Sequence, residues 1–176
     1  MKIEQLRSAL KDASPLSMAD VEYIGKGYHL ELALTPQKLA DAVAVLDREG
    51  FFIEALTGVD WPVPKVLPKA ADAGGEPGEA QSAEPLEAVA PLAEDEMEVV
   101  YDFNHYSELC RVALRVRVPR DKPGLPSISA IYPGADWHER ETHEFFGIVF
   151  EGHPDLKPLL LPEDADFHPL RKDFAS

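Results

Sequence analysis

An alternating run at residues 111–118 constrains the fold more than any other feature of the sequence. Charged and aliphatic side chains alternate there: Arg115 and Arg117 alternate with Val112, Leu114, Val116 and Val118. Successive side chains on a β-strand point to opposite faces, so one face of this strand is wet and the other is buried. Similar runs at 51–61, 97–106 and 127–133 predict three more strands.

Helix signals lie around these strands. The stretch that starts at Thr35 has an N-cap residue, then Pro36 at the first helical position, and it stops at Gly50. Residues 1–15 have the pattern of a short amphipathic helix and carry charges throughout, which is unlike a signal peptide. Two helices are therefore predicted in the first fifty residues.

A hairpin is predicted at 21–34, where two alternating runs flank Gly25 and Gly27. A phosphate-binding loop is not indicated there, because the third glycine of G-x-G-x-x-G is missing and no helix follows at once. The predicted fold class is α+β, with a mixed or mainly antiparallel sheet flanked by helices. These elements form a core domain at residues 1–150.

Residues 62–96 interrupt this domain as an insertion rich in Ala, Pro, Glu and Gly. Eight acidic residues stand there against Lys65 and Lys69, and no aromatic residue is present between the flanking Trp61 and Met97. Such a composition buries too little apolar surface to offset the entropy of ordering. We expect an unpacked insertion between two neighbouring strands, unless it serves as a partner-binding segment.

Composition excludes several functional classes. The formal net charge of −15 disfavours binding to a nucleic-acid backbone, which depends on clustered Lys and Arg. No run reaches the roughly 18 apolar residues that a membrane helix needs, and a cytoplasmic location is expected. Cys110 is the single cysteine, so it forms no internal disulfide and holds no iron–sulfur cluster alone.

Residues 135–147, "ADWHERETHEFFG", predict a short helix. Asp136 and Glu139 have the spacing of a capping box, and Gly147 follows as a terminator. Its aromatic side chains are expected to anchor the helix to its own sheet: Trp137, Phe145 and Phe146.

A metal site is the alternative interpretation of this helix, and it would make the chain a stand-alone metal-dependent enzyme. A zinc hydrolase needs H-E-x-x-H, but His138 and His143 are five residues apart and point about 140° apart. Glu139 and His143 supply at most two ligands together, so a third has to come from elsewhere, with His153 or His168 as the candidates. Metal analysis of the purified protein distinguishes this alternative.

Residues 151–176 have prolines at 154, 158, 162 and 169, which prevents a long helix or a central strand. Large apolar residues are nevertheless frequent there: Leu156, Leu159, Leu160, Leu161, Phe167, Leu170 and Phe174. Some surface has to cover them. The segment is predicted to be an extended C-terminal arm, which either packs back on its own sheet or docks on another subunit.

The stretch Tyr132–Phe174 carries a family resemblance. Its patterns are E-R-E-x-x-x-x-F-G-I, then G-H-P-x-L, then H-P-L-R-K-D. They resemble the signature region of the 30-kDa subunit of respiratory NADH:quinone oxidoreductase (complex I).

The resemblance implies a peripheral-arm subunit that has no catalytic residue and no cofactor of its own, within a translocating enzyme complex. Its implied partners are the large quinone-site (49-kDa type) subunit and neighbouring peripheral-arm subunits, on the cytoplasmic side of the cell membrane. It would meet the membrane only through the complex. The expected partner-binding residues are Arg140, Glu141, Gly147, His153, Pro154, Leu156, Leu160, Arg171 and Lys172.

The sequence also departs from the family pattern. The insertion at 62–96 is longer than the connection expected there, and "EDADFHP" replaces a run that usually contains tryptophan and glycine. A related subunit of membrane-bound energy-converting hydrogenases has the same motif, so this second assembly stays an alternative.

Overall fold

The computed structural model describes residues 3–63 and 95–174. Nearly all of the insertion predicted at 62–96 therefore lies outside the described residues. The elements follow in chain order: α1 (Ile3–Lys11), β1 (Ser17–Asp20), α2 (Tyr23–Lys26), β2 (Leu30–Leu34), α3 (Pro36–Arg48), β3 (Phe51–Trp61), β4 (Glu96–His105), β5 (Arg111–Pro119), β6 (Gly124–Pro126), α4 (Ala135–Phe146) and β7 (Val149–Glu151).

The main sheet has five strands in the order β1-β2-β5-β4-β3. Neighbouring strands run antiparallel except β2 and β5, which are parallel and place Leu30 opposite Val112. The last pair of β3 and β4 joins Trp61 to Glu96, directly beside the two ends of the insertion. The predicted α+β class with a mixed sheet is confirmed.

One face of the sheet carries the core. The aliphatic positions of β5 that the alternation predicted as buried are at most 1% exposed: Val112, Leu114, Val116 and Val118. Side chains from α1, α3 and α4 complete the same buried cluster, which ends in sequence at Phe150. Burial of these side chains is the main stabilising contribution, at about 25 cal/mol per Å² of apolar surface.

The other face of the sheet is a network of ion pairs. Glu98 is nearly buried, accepts hydrogen bonds from Trp61 Nε1 (3.0 Å) and Arg115 Nη1 (3.3 Å), and lies 3.6 Å from Arg117 Nε. Neighbouring strands thus place opposite charges beside each other, which stabilises a sheet face that meets water. The arginines predicted for the wet face of β5 lie there.

The hairpin predicted at 21–34 is partly wrong. Antiparallel strands do meet there, but the first strand is β1, Ser17–Asp20, while Tyr23–Lys26 forms the short helix α2. Gly27 ends that helix with φ of 80°, which a residue with a side chain rarely adopts. The sequence around α2 has the alternating pattern of a strand, because a helix of four residues is too short to show a helical period.

The strand predicted at 127–133 is wrong. Ile128 and Tyr132 are buried, yet the segment turns back on itself, with the Ile131 and Tyr132 amides both donating to Ile128 O at 2.9 Å. Only β6, immediately before it, pairs as a strand, in parallel with β7. Ile128 and Tyr132 are four residues apart and Ala130 between them is exposed, so the apolar alternation of the sequence does not correspond to alternate burial.

Across the described residues, helices of membrane-spanning length and apolar character are absent.

Candidate functional site

Helix α4 begins two residues earlier than the capping box predicts, at Ala135 with Gly134 as its N-cap. Glu139 makes no cap and instead points into the core, where it is 0% exposed. Its carboxylate accepts hydrogen bonds from Ser127 Oγ (2.5 Å) and from the Ile128 amide (2.7 Å). Glu139 therefore ties α4 to the preceding loop.

His153 lies beside this buried carboxylate, and its side chain is completely inaccessible. Its Nε2 is 3.9 Å from Glu139 Oε2 and 3.6 Å from Asp136 Oδ2, while its Nδ1 accepts the Asp155 amide at 3.1 Å. Burial raises the pKa of Glu139, and the hydrogen bonds from Ser127 and Ile128 act in the opposite direction. His153 thus connects the residues after β7 to α4.

Residues 152–174, called the arm from here on, contain no helix or strand and lie along α4. Glu144, which is 4% exposed, receives the backbone amides of three consecutive arm residues: Leu159, Leu160 and Leu161. The Leu160 and Leu161 amides each lie 3.0 Å from Oε1. A carboxylate that accepts several backbone amides is a strong anchor, because charge-assisted hydrogen bonds are stronger than neutral ones.

The arm also caps the end of α4. The last four carbonyls of a helix have no partner inside it. Here each of the four receives a donor from Gly147 or from the arm. The pairs are Gly147 N to His143 O (2.7 Å), His168 Nδ1 to Glu144 O (2.9 Å), Leu170 N to Phe145 O (3.1 Å) and Arg171 Nε to Phe146 O (2.6 Å).

Gly147 makes this cap possible, and the predicted helix terminator is confirmed. Its φ of 75° lies in the left-handed region. A Cβ on this residue would overlap Arg171 Nη2 and would lie 2.6 Å from His168 Nε2. Two capping side chains therefore occupy the space that any larger residue would need.

A second anchor of the arm is Asp60, at the end of β3. Its buried carboxylate accepts a bidentate pair from Arg120 at 2.7 and 3.0 Å, and the Lys172 amide at 2.8 Å. Burial alone would raise the pKa of Asp60, but the Arg120 guanidinium and the Lys172 amide outweigh burial and lower it. Arg120 Nη2 also lies 2.8 Å from Asp173 Oδ1. The guanidinium of Arg120 therefore joins a carboxylate of β3 to a carboxylate of the arm.

Arg140 fastens the middle of the arm. Its Nε donates to Lys157 O at 2.9 Å and its Nη2 to Pro158 O at 3.1 Å. The guanidinium lies 6.0 Å from the ring centre of Trp137, which is 62% exposed. The prediction that Trp137 anchors the helix to its own sheet is wrong, because its ring lies outside the core.

The other two aromatic residues of the helix do face the core. Phe146 is 8% exposed and its ring lies against Gly58 of β3, where an added Cβ would come within 2.6 Å of a ring carbon. Phe145 is partly buried and packs on the same cluster. Gly58 lies on the face of β3 that meets α4, and the absence of a side chain there lets the helix approach the strand closely.

Several large apolar side chains of the arm nevertheless face outward. They are Leu160 (65% exposed), Leu170 (54%), Phe174 (44%) and Phe167 (41%), and the last two stack with ring centres 5.6 Å apart. We call these four residues the arm face. The backbone of the arm is bound to its own domain, and its apolar side chains are presented to the surroundings.

The residues expected to bind a partner fall into two groups. Arg140, Gly147, His153 and Arg171 are engaged in holding the arm to α4, and Leu156 packs on the core. Glu141, Pro154, Leu160 and Lys172 are exposed, with Lys172 Nζ lying 5.2 Å from the ring centre of Trp61. Sequence reasoning missed the anchors Glu144, Asp60, Arg120 and His168, because each acts on residues distant in sequence.

The metal-enzyme alternative requires three ligands around one point. Glu139 faces the core loop, whereas His143 Nδ1 lies 2.8 Å from Ile148 O at the end of the helix. Within 3–63 and 95–174, no group of three or more His, Cys, Asp or Glu residues is placed to hold a metal ion. Glu139 and His143 instead bind the loop before α4 and the residue after Gly147.

These features define a class: a mixed-sheet α+β domain whose signature helix carries a bound arm with an outward apolar face. The family model described as "Respiratory-chain NADH dehydrogenase, 30 Kd subunit" matches residues 32–176. The chain belongs to this family, the 30-kDa subunit family of complex I, and its sequence resemblance is confirmed.

Two NADH-quinone oxidoreductase C subunits are similar to this chain in sequence. The NADH-quinone oxidoreductase C subunit of Roseiflexus sp. (strain RS-1) is 34% identical over 175 residues, covering 97% of this chain and 80% of the relative. The corresponding C subunit of Mycolicibacterium paratuberculosis is 49% identical over 79 residues, which is 45% of this chain and 34% of the relative. The chain thus aligns with only about a third of the mycobacterial protein.

Two solved structures share the fold. A trypsin-resistant fragment of Nqo5 matches with a TM-score of 0.59 and 25% identity, covering 89% of this chain and all of that one. A chain in the structure of an archaeal respiratory membrane complex, the membrane-bound sulfane sulfur reductase, matches with a TM-score of 0.69 and 24% identity. That match covers 98% of this chain and 84% of the archaeal one.

Proposed function

We propose that this chain is a non-catalytic peripheral-arm subunit of an NADH:quinone oxidoreductase. In this role it supports assembly of the complex, and thereby electron transfer from NADH to quinone, by binding the large quinone-site (49-kDa type) subunit. Neighbouring peripheral-arm subunits are further partners. The chain lies on the cytoplasmic side of the cell membrane and meets the membrane only through the complex.

The observation that carries this proposal is the contrast between the backbone and the side chains of the arm. Its backbone is held by Glu144, by the end of α4 and by Asp60, so the arm is ordered before it meets a partner. Its four large apolar side chains Leu160, Phe167, Leu170 and Phe174 are exposed, and the described part of the chain does not cover them. Preordered apolar surface favours association, because less conformational entropy is lost on binding.

The test uses the whole chain, co-expressed with the other subunits and recovered through a tag on the large subunit. Replacing Leu160 and Leu170 by Ser is expected to reduce co-purification at least tenfold without changing the melting temperature of the free chain. Ser replacement of Ile24, which is 91% exposed on α2, is the matched control. Undiminished co-purification of the arm variant contradicts the proposal.

The same preparation discriminates between the two assemblies. An NADH-oxidising flavoprotein in the recovered complex supports the quinone oxidoreductase. A nickel–iron subunit in its place supports the energy-converting hydrogenase.

A further inference from the structure

The arm face borders a group of carboxylates, which restricts the kind of surface that fits it. Glu163, Asp164 and Asp166 lie between Leu160 and Phe167 in the sequence, and all three are exposed. The Ala165 amide donates to Pro162 O at 3.0 Å, so a turn holds them together. Among the residues that the structure describes, none forms an ion pair with any of these three carboxylates.

The basic residues of the arm do not neutralise this turn, because they are engaged elsewhere. Arg171 donates to the end of α4, and the Lys172 ammonium lies over Trp61. Lys157 lies 3.5 Å from Asp155. The acidic turn, Glu163–Asp166, is therefore a negative border beside an apolar centre.

We infer that the arm face docks on a protein surface with an apolar centre and a rim of Lys or Arg beside it, opposite the acidic turn. This deepens the proposed function, on which it rests, by naming the chemistry of the partner surface. Complementary charge steers association and excludes wrong partners more than it adds affinity. A second copy of this chain fits poorly, because two acidic turns and two net charges of −15 would meet.

The decisive variant reverses the charge of the turn, E163K/D164K/D166K, and its milder companion is the neutral E163Q/D164N/D166N. The matched control, E4K/D12K/E22K, makes the same charge change at exposed positions in α1, directly after α1 and directly before α2. Arg7 and Asp20 tie α1 to β1, at the opposite edge of the sheet from β3. Each full-length variant is co-expressed with the tagged large subunit. Co-purification is measured from about 50 to about 300 mM salt, a range over which screening of exposed charges increases strongly.

Wild-type recovery is expected to fall as salt rises. At low salt the charge-reversed variant should be recovered at least tenfold less, the neutral variant should be intermediate, and the control should match wild type. Thermal melts should be unchanged for all, because the replaced side chains are exposed and make no ion pair in the described chain.

Each other outcome overturns the inference and points to a cause. If the charge-reversed variant is recovered as well as wild type while L160S/L170S is lost, the proposed function stands and a basic rim on the partner is ruled out. If the charge-reversed variant and L160S/L170S are both recovered as well as wild type, docking through the arm face is ruled out and the proposed function fails with it. Concentration-dependent dimers of the free chain that L160S/L170S abolishes would identify a second copy as the occupant.

Discussion

Gly147 is the residue on which the end of α4 depends most directly. An alanine there has to adopt φ near 75° and displaces the His168 and Arg171 side chains. The strain costs about 1 kcal/mol, and each lost cap about 0.5–1.5 kcal/mol. We expect Gly147→Ala to lower Tm by roughly 4–16 °C, since about 2–4 °C corresponds to 1 kcal/mol at this size.

Gly152 provides the control for this prediction. Its φ is 84°, but no atom lies within 4 Å of an added Cβ. Gly152→Ala should therefore lower Tm only by about 2–4 °C, from backbone strain alone. Equal melting temperatures for the two variants would show that the displaced caps contribute nothing.

Asp60 makes the anchor at β3 dependent on pH. Its pKa in the folded protein is held below the ordinary value of 3.8, so its contribution is fully present above that value and is lost as pH falls through the lowered pKa. Asp60→Asn should reduce the free energy of unfolding by about 1–3 kcal/mol at pH 7. Urea titrations should show this deficit shrinking below about pH 4.

The exposed Asp12 serves as reference for Asp60, because Asp12→Asn replaces a side chain at the surface and should leave the free energy of unfolding almost unchanged. A deficit for Asp60→Asn that stays constant down to pH 3 would mean that packing, and not charge, accounts for its role.

At the level of elements, local patterns predicted most of the helices and strands. The strands at 51–61 and 111–119 and the helices at 36–48 and 135–146 follow from periodicity with proline and glycine signals. β1 was missed because it is a four-residue edge strand with only one partly buried position. The role of Glu144 was not predictable, because its partners lie 15–17 residues further along.

The arm is the element whose removal tests whether the core is complete without it. Truncation after Phe150 keeps every residue of the buried core cluster but exposes the end of α4 and leaves Glu144 without its amide donors. We expect a cooperative fold with Tm lowered by at least roughly 6–12 °C, equivalent to at least about 3 kcal/mol. Circular dichroism and a thermal melt measure this, and a molten or insoluble product would show that the arm completes the core.

For the molecule as a whole, β3 and β4 stay paired up to the two ends of the segment between Val63 and Asp95. Trp61 pairs with Glu96, and the Val63 amide lies 2.6 Å from Asp95 Oδ1. Replacing residues 64–94 by an Asn-Gly turn should change Tm by less than about 5 °C, because loop-closure entropy varies slowly with length. A fall beyond about 10 °C would mean that the segment contributes contacts to the core.

The cap on α4 also imposes an order of events during synthesis. The helix emerges from the ribosome before His168 and Arg171, which follow their carbonyl partners by 24 and 25 residues. At about 5–20 residues per second, the end of the helix waits roughly 1–5 s for its donors. A nascent chain in that interval has its core residues but no ordered arm face, so a partner recruited through that face can recognise the subunit only after this interval.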